Sequence, residues 1–353
     1  MKSCLYFNKI SICLNLFLSI SFAWSQESPN IIFLIGDGMG LTQISAGMYA
    51  NGNNTALEDF EFIGLSKTNA ANKFVTDSAA SGTAMATGIK TVNGAIGMDT
   101  NNFHHESILE ICQEKGYKTA LIATSSIVHA TPASFYAKVT YRYKHEKIAL
   151  QLSQHSIDIF VGGGSKHFTD REDGRNLIKE MDSYNFVRSL SQFKKSKASK
   201  IAFFTYKDEP PSIINKRSPK LNELTKIALD KLSSHKNPFF IMIEASQIDW
   251  GGHANNLDRV TSEFIEFNAT IKEALEFAKN DGNTLVIVTA DHETGGLALI
   301  GGNITENTVV GSFNTKGHTA TMVPVFSYGP NADSFKGIYE NTEIFEKMKK
   351  TLN

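Results

Sequence analysis

The chain is poor in cysteine, with three in 353 residues. Cys4 and Cys13 lie in an N-terminal segment that we expect to be removed, so Cys112 would remain alone in the mature chain. No intrachain disulfide could then form, and the mature chain must draw its stability from its core. Cys112 lies in an amphipathic helical pattern, which is typical of a small buried apolar residue.

The chain also lacks an excess of positive charge and any internal repeat or low-complexity linker. Its 35 Lys and Arg residues against 36 Asp and Glu residues give a net charge of −1. Loss of residues 1–25 removes two lysines and no acids, so the mature charge becomes 33 − 36 = −3. With no basic patch we expect no binding to nucleic-acid polymers. The hydrophobic content of 41% suits one large α/β domain.

No apolar run is long enough for a comfortable membrane span. The run Ile10–Phe22 follows Lys2 and Lys9 and ends before the small residues around Ala23 and Ser25. This order is typical of a secretory signal peptide. We therefore predict a signal peptide over residues 1–25, export to the periplasm or beyond, and no stable membrane span after processing. An uncleaved membrane anchor is the alternative.

The rest of the chain alternates between strand and helix patterns. Apolar strand patterns cover residues 30–36, 118–126, 157–164, 237–246 and 283–291, and helical patterns cover 105–116 and 260–279. This alternation predicts an α/β fold with a mostly parallel central sheet and helices on both faces. Residues 26–353 would form a single catalytic domain. Asp37, Thr131, Glu244 and Asp291 fall at or just after strand ends, where ligands gather in such sheets.

Two segments depart from this alternation. Residues 165–224 are more polar and contain a lysine-rich run, so we expect a small polar insertion on the surface. Residues 321–329 read as an outer strand, because Pro324 cannot donate a ladder hydrogen bond.

The strand pattern near residue 240 is followed by acid and imidazole groups. Glu244, Asp249 and His253 have the spacing E-x4-D-x3-H, and Gly251 and Gly252 between them favour a tight loop. Asp and His together with a second His form a common zinc-binding set that leaves room for water or substrate. A solvated loop with a capping aspartate is the alternative reading.

Three other places carry candidate metal ligands. Asp291 and His292 follow an apolar strand, and Gly295–Gly296 predicts that the chain turns there, so that both can reach one ion. His318 is a weaker candidate when taken alone. Asp37 lies inside the run GDGMG, where a carboxylate would repel a pyrophosphate unless a metal lay between them.

Ser78 is the candidate nucleophile. It precedes a helix-forming run of small residues, so it would lie at a helix start that favours an alkoxide and an incoming phosphate. No G-x-S-x-G elbow surrounds it, which favours a metal as its activator. The alternative is that Ser78 or Asp77 only caps the helix. Arg142 is a candidate clamp for phosphate oxygens, and the Thr131 hydroxyl is a suitable Mg²⁺ ligand.

Taken together, these motifs resemble the alkaline phosphatase family over nearly all of the mature chain. The nucleophile motif is Asp77–Thr83, and the other blocks follow in the family's order as GDGMG, ATPASF with a downstream arginine, E-x4-D-x3-H, DHETGG and GHT. The resemblance implies an alkaline-phosphatase-like fold and a homodimer. It also implies hydrolysis of small phosphate monoesters by two in-line displacements through a phosphoserine.

The resemblance also implies three metal ions, two Zn²⁺ and one Mg²⁺. By this resemblance, the first zinc ion would be bound by Asp249, His253 and His318. The second zinc ion would be bound by Asp37, Asp291 and His292, with Ser78 joining during the reaction. The magnesium ion would be bound by Asp37, Thr131 and Glu244.

The substrate-binding residues implied are Ser78, Arg142, His129 and Trp250. The last two depart from the enterobacterial pattern, which has Asp at the position of His129 and Lys at that of Trp250. Two rival functions are a phosphodiesterase of the same superfamily and a non-catalytic phosphate- or metal-binding protein. The chain retains Glu244 and Arg142, which a diesterase is expected to lack, and it retains Ser78, which a mere binding protein would not need.

Overall fold

The computed structural model describes residues 28–352. The predicted signal peptide, residues 1–25, lies outside them. In chain order the strands are β1 (Asn30–Gly36), β2 (Phe62–Lys67), β3 (Lys118–Ser126), β4 (Ile159–Gly163), β5 (Asn185–Val187), β6 (Ile201–Phe204), β7 (Phe239–Ala245), β8 (Thr284–Thr289), β9 (Glu293–Thr294), β10 (Leu297–Asn303), β11 (Thr308–Phe313), β12 (His318–Thr319), β13 (Val323–Tyr328) and β14 (Gly337–Glu340).

The α-helices vary widely in length, and the longest packs along the sheet. In chain order they are α1 (Leu41–Ala50), α2 (Ser78–Thr87), α3 (Ile108–Glu114), α4 (Ala130–Ala133), α5 (His145–Gln154), α6 (Lys166–Thr169), α7 (Leu177–Glu180), α8 (Leu190–Lys195), α9 (Leu221–Leu232), α10 (Gln247–His253), α11 (Leu257–Asp281) and α12 (Thr342–Lys349). None of the described helices is long and apolar enough to cross a bilayer.

Ten strands form one central sheet in the order β14-β2-β13-β8-β1-β7-β3-β4-β6-β5. All its neighbouring pairs are parallel except those of β13, which runs antiparallel to β2 and β8. The predicted α/β class with a mostly parallel sheet is confirmed. Because β7 and β8 lie on either side of β1 and run parallel to it, their carboxyl ends lie beside its own.

Helices cover both faces of this sheet, as predicted. Along β1, Ile31 and Phe33 face one apolar core while Ile32 and Leu34 face the other, as the two-residue period of a strand requires. Helices α2, α3, α5 and α12 contribute to the first core, and α1, α9 and α11 to the second. Cys112 on α3 is fully buried in the first core, which confirms its predicted role as a small apolar residue.

The prediction that residues 321–329 form an outer strand is wrong. Strand β13 lies inside the sheet, between β2 and β8. Pro324 is tolerated there because β8 pairs only with the later residues Phe326–Tyr328, so Pro324 meets no ladder partner on that side. The outermost strand at this edge is β14.

The polar segment 165–224 supplies β5 and β6, which extend the sheet beyond β4. Its last part is fixed to α11 by a buried ion cluster. The guanidinium of Arg217 contacts the carboxylates of Glu263, at 2.6 Å, and Glu266. Since all three side chains are buried, removal of the arginine would leave two buried carboxylates without their cation.

Candidate active site

Three acidic residues meet where β1, β7 and β8 end side by side. Gly36 pairs with Ala245 and Ile35 with Thr289, so Asp37, Glu244 and Asp291 reach the same edge of the sheet. All three are fully buried. Asp37 is fixed there by its backbone N–H, which donates to the Ala245 carbonyl at 3.1 Å. The predicted gathering of these acids at strand ends is therefore what the fold produces.

Asp249 and His253 lie on the short helix α10 and not in the tight loop that their glycines predict. The helix spacing of four residues places both side chains on one face. Gly251 and Gly252 are needed for packing instead. A Cβ on Gly251 would lie 2.8 Å from Val260, and one on Gly252 would lie 2.8 Å from Thr294.

The first candidate metal cluster joins Asp249, His253 and His318. The Nε2 atoms of the two histidines lie 3.1 Å apart, and Asp249 oxygens lie 3.3 Å from His253 Nε2 and 3.5 Å from His318 Nε2. A tetrahedral ion held at about 2.0–2.1 Å would separate its ligands by about 3.3–3.4 Å. These separations are close to those expected for side chains that share one zinc ion.

The Nδ1 atoms of these histidines contact backbone carbonyls. His253 Nδ1 lies 2.5 Å from the Lys316 oxygen and His318 Nδ1 lies 2.8 Å from the Thr76 oxygen. A ring that donates its Nδ1 proton in this way presents the lone pair of Nε2 to the cluster. Both rings are therefore oriented as metal ligands.

The second cluster joins Asp37, Asp291 and His292 beside the serine hydroxyl. His292 Nε2 lies 3.0 Å from Asp291 Oδ2 and 3.6 Å from Asp37 Oδ1. Ser78 Oγ lies 3.3 Å from His292 Nε2 and 3.5 Å from Asp37 Oδ2. Single ligand atoms of Asp37, Asp291 and His292 thus lie close enough to share one ion, with Ser78 Oγ beside two of these residues.

The third cluster joins Asp37, Glu244 and His129. Thr131 lies beside it on α4 and is fully buried. Asp37 Oδ1, Thr131 Oγ1, Glu244 Oε1 and His129 Nδ1 are all buried without a hydrogen-bond partner within the protein. Unpaired buried polar atoms are costly, so this set fits a bound cation with its water shell.

The electrostatics of the site also favour cations. Burial raises the pKa of Asp37 well above its usual value, and the nearby Asp291, Asp249 and Glu244 raise it further. Burial also raises the pKa of Glu244 to about 7. Burial opposes ionisation of Asp249, but His253, His292 and His318 hold its pKa below the usual value. Without a cation between them these carboxylates would repel one another. A positive charge among them would therefore be strongly stabilised.

Ser78 begins helix α2, and Asp77 is the cap of that helix. One Asp77 oxygen accepts from the Ala80 N–H at 2.9 Å, and the other accepts from the Arg142 guanidinium at 3.2 Å. The capping alternative is thus correct for Asp77, while Ser78 Oγ faces the second cluster. Asp77 also aligns Arg142 beside the serine, a function that the sequence alone did not reveal.

The site opens into a cavity of about 470 Å³. All the predicted substrate-binding residues line it, together with ligands of the first cluster: Ser78, His129, Arg142, Trp250, Asp249, His253 and His318. The rings of His129 and Trp250 lie edge to face, with centroids 6.0 Å apart. The cavity thus connects the serine and the first cluster to the protein surface.

Two supporting residues escaped the sequence reasoning, although both lie within the DHETGG motif. The Thr294 hydroxyl lies 2.5 Å from Asp249 Oδ1 and 3.2 Å from His292 Nδ1, so it links the first two clusters. Glu293 accepts hydrogen bonds from Gln43 at 2.6 Å and from Thr319 at 2.5 Å. It thereby fixes this turn to α1 and to the strand that carries His318.

Gly38, which follows Asp37, packs against the backbone of Asp249, and a substitution can test this contact. Its φ is +74°, and a Cβ would lie 2.6 Å from the Asp249 Cα. We expect Gly38→Ala to lower the free energy of unfolding by about 2–4 kcal/mol, because strain and backbone overlap add. Gly282→Ala is the matched control, since its φ is +77° but nothing lies within 4 Å of its Cβ position. Chemical denaturation should give a cost of only about 1 kcal/mol for the control. Equal costs for the two variants would argue against a tight contact at Asp249.

An α/β enzyme with metal-binding groups around a serine is the class of protein that this fold and site define. The alkaline phosphatase family matches residues 28–312 and 305–353. Alkaline phosphatase 3 of Bacillus subtilis is 34% identical over 93% of this chain and 89% of its own length. The chain therefore belongs to the alkaline phosphatase family and is a phosphoric monoester hydrolase.

Solved structures agree with this assignment. Alkaline phosphatase from the Antarctic bacterium TAB5 superposes with a TM-score of 0.87 and 42% identity, covering 93% of this chain and 99% of that one. A variant of that protein, with one histidine replaced by glutamate and Mg bound in its M3 site, has the same TM-score and coverages at 41% identity.

Proposed function

We propose that the mature protein is an exported phosphate monoester hydrolase that acts through a covalent phosphoserine at two zinc ions and one magnesium ion. The observation that carries the proposal is the position of Ser78 Oγ, 3.3 Å from His292 Nε2 and 3.5 Å from Asp37 Oδ2. This position supports the assignment of the serine hydroxyl as a fourth ligand of the ion at the second cluster, since metal activation of a nucleophile requires it there.

We assign the ligands as follows. Asp249, His253 and His318 hold the first zinc, and Asp37, Asp291 and His292 hold the second. Asp37, Thr131 and Glu244 hold the magnesium, with the neutral imidazole of His129 beside them. Burial lowers the pKa of His129 to about 3, so its ring brings no positive charge to repel the cation.

The reaction proceeds in two displacements. Ser78 Oγ loses its proton to solvent and attacks phosphorus, and the bond from phosphorus to the alcohol oxygen breaks. Water then attacks the phosphoserine, which frees Ser78 and inorganic phosphate, while the released alkoxide takes a proton. The bound ions would lower the pKa of the serine hydroxyl and of water and stabilise the departing oxygen.

Arg142 binds the non-bridging oxygens of the phosphoryl group during both steps. Its guanidinium is planar and matches two phosphate oxygens at once. The contact with Asp77 raises the pKa of Arg142, although burial opposes this, so the group stays charged. His129 and Trp250 also line this cavity, in which we place the substrate and the departing phosphate.

We also propose that residues 1–25 direct export and that the mature chain forms a homodimer. Its substrates are small phosphate monoesters. We propose no binding of nucleic-acid polymers, because the charge of the chain is nearly balanced.

Metal analysis together with a pair of substrates tests the proposal. The purified protein should contain two Zn²⁺ and one Mg²⁺ per chain. It should hydrolyse 4-nitrophenyl phosphate with a kcat/KM at least about a thousandfold above that for bis(4-nitrophenyl) phosphate, because Arg142 and Glu244 suit a terminal phosphoryl group. A preference for the diester would support the phosphodiesterase alternative. Zinc at the third position would contradict the magnesium assignment.

A further inference from the structure

Two tyrosines flank Arg142 at the mouth of the active-site cavity. Tyr141 is 51% exposed and Tyr143 is 63% exposed, and both line the cavity that contains Ser78. Their rings are 5.1 Å apart and nearly perpendicular, at 77°. Exposed aromatic rings grouped at the edge of a ligand cavity are typical of a recognition surface.

The backbone that carries these rings is fixed relative to the serine. The Arg142 N–H donates to the Gly94 carbonyl at 2.7 Å, and the Gly94 N–H donates to Asp77 at 3.0 Å. Asp77 in turn caps the helix that begins at Ser78. The Tyr141 ring packs over Gly94, where a Cβ would lie 3.0 Å from its Cδ2 atom. Hydrogen bonds therefore hold the backbone that carries the two rings in place relative to Ser78.

A phosphoryl group bound by Arg142 and Ser78 must direct its ester group into the open part of this cavity. Tyr143 lies close to that path, since the Arg142 guanidinium carbon is 5.8 Å from its ring centre. Trp250 lines the same cavity from α10. The alcohol part of the substrate thus meets aromatic surface on leaving the phosphate site.

We propose that Tyr141 and Tyr143 bind a flat aromatic ring in the alcohol part of the substrate, a proposal that rests on the phosphatase roles of Ser78 and Arg142. The enzyme then prefers phosphate monoesters whose alcohol carries a nucleobase or a phenol ring. Aromatic side chains stack on any flat ring with little need for hydrogen-bond readout. Tyrosine also loses little side-chain entropy on binding, because it has only two side-chain torsions.

Adenosine 5′-monophosphate and ribose 5-phosphate form a matched pair for the test, because a primary 5′-hydroxyl of ribose leaves from both and only the nucleotide carries a flat aromatic base. We expect kcat/KM for the nucleotide to exceed that for the sugar phosphate about tenfold, which corresponds to about 1.4 kcal/mol. Tyr141→Ala should reduce this ratio to near one, whereas Tyr141→Phe, which keeps the ring, should preserve it. A ratio unchanged in the alanine variant would overturn the proposal.

Phenyl phosphate distinguishes the two sources of the ring. A fall in its kcat/KM in Tyr141→Ala, relative to ribose 5-phosphate, would assign the site to flat rings in general. A fall confined to the nucleotide would assign it to nucleobases, and a fall confined to phenyl phosphate would assign it to phenols. No fall for either would refute the role of the tyrosine.

Binding to the metal-loaded Ser78→Ala variant separates this inference from the proposed reaction. Calorimetry should show adenosine 5′-monophosphate binding about tenfold more tightly than ribose 5-phosphate, and the difference should vanish when Tyr141→Ala is added. If the nucleotide bound more tightly but the wild-type chain hydrolysed neither ester, the proposed function would fail and the inference would stand. If the wild-type chain hydrolysed both esters with equal kcat/KM and the Ser78→Ala variant bound both equally, the inference would fail and the proposed function would stand.

Discussion

Ser78→Ala is expected to reduce the turnover of phosphate monoesters by about a thousandfold, because the variant cannot form the proposed phosphoserine intermediate. Residual hydrolysis by direct attack of water should remain, since the groups that we propose to bind the phosphoryl group, Arg142 and the metal clusters, are unchanged. The measurements are steady-state kinetics with an aryl phosphate and rapid-quench detection of a phosphorylated chain. The wild type should show a burst of phosphoprotein at low pH, and the variant should show none.

The control for this prediction is Ser45→Ala on α1. The Ser45 hydroxyl donates to the Leu41 carbonyl at 2.9 Å, and Ser45 does not line the active-site cavity. Both variants should bind the same amount of metal as the wild type, because neither substitution changes the three residues that we assign to each ion. Turnover within a few-fold of the wild-type value in Ser78→Ala would rule out the covalent route.

The sequence was sufficient to predict which distant residues meet. Parallel strands end at a common edge, so acids that follow apolar runs must gather there. Asp37, Glu244 and Asp291 satisfy this rule, since all three are buried at the ends of β1, β7 and β8. Such a prediction needs only the position of each strand end and no knowledge of side-chain packing.

Features that depend on packing could not be predicted in this way. Gly251 and Gly252 suggest a loop by their conformational freedom, yet they lie in α10, where glycine is required because Val260 and Thr294 leave no room for a Cβ. Pro324 suggests an edge strand, yet it lies in an interior strand where one side has no ladder partner. In both cases the deciding neighbour is distant in the sequence.

The same limit applies to residues that support the site. No local pattern indicates that Asp77 aligns Arg142, which lies 65 positions later in the chain. The link that Thr294 makes between Asp249 and His292 likewise depends on α10 lying against the turn after β8. Residues that bind substrate or metal carry recognisable chemistry, whereas residues that position them have ordinary side chains and are recognised only by contact.

Removal of the bound metals is expected to abolish hydrolysis and to destabilise the fold, and the loss of stability should be larger at about pH 9 than at about pH 6.5. An ion present at a thousand times its Kd stabilises the folded chain by about 4 kcal/mol. The measurements are activity and thermal unfolding of chelated and metal-loaded protein at both pH values. Adding Zn²⁺ and Mg²⁺ back should restore both activity and stability.

The pH dependence of the metal-free stability follows from groups whose pKa is higher in the folded, metal-free chain than in the unfolded chain. Burial raises the pKa of Glu244 to about 7, and the hydrogen bond to Asp249 raises that of His253 to about 9. The folded chain therefore binds more protons than the unfolded chain, and its free energy of unfolding falls as the pH rises through these values. Burial lowers the pKa of His129 to about 3 and that of His318 to about 4, but these two shifts act only below about pH 6.5, where the unfolded histidines become protonated.

The expected fall in metal-free stability from pH 6.5 to 9 is roughly 1–2 kcal/mol, with the contribution of the half-exposed His253 discounted for screening by solvent. Glu244→Gln is the matched variant, because it keeps the shape of the side chain and cannot ionise. Its metal-free form should lose less stability over this range than the metal-free wild type. In the metal-loaded wild type the cations neutralise the carboxylates, so the fall should be small. A fall of equal size with and without metal would show that the clustered acids do not bind the ions, and the assignment of the three sites would then have to be abandoned.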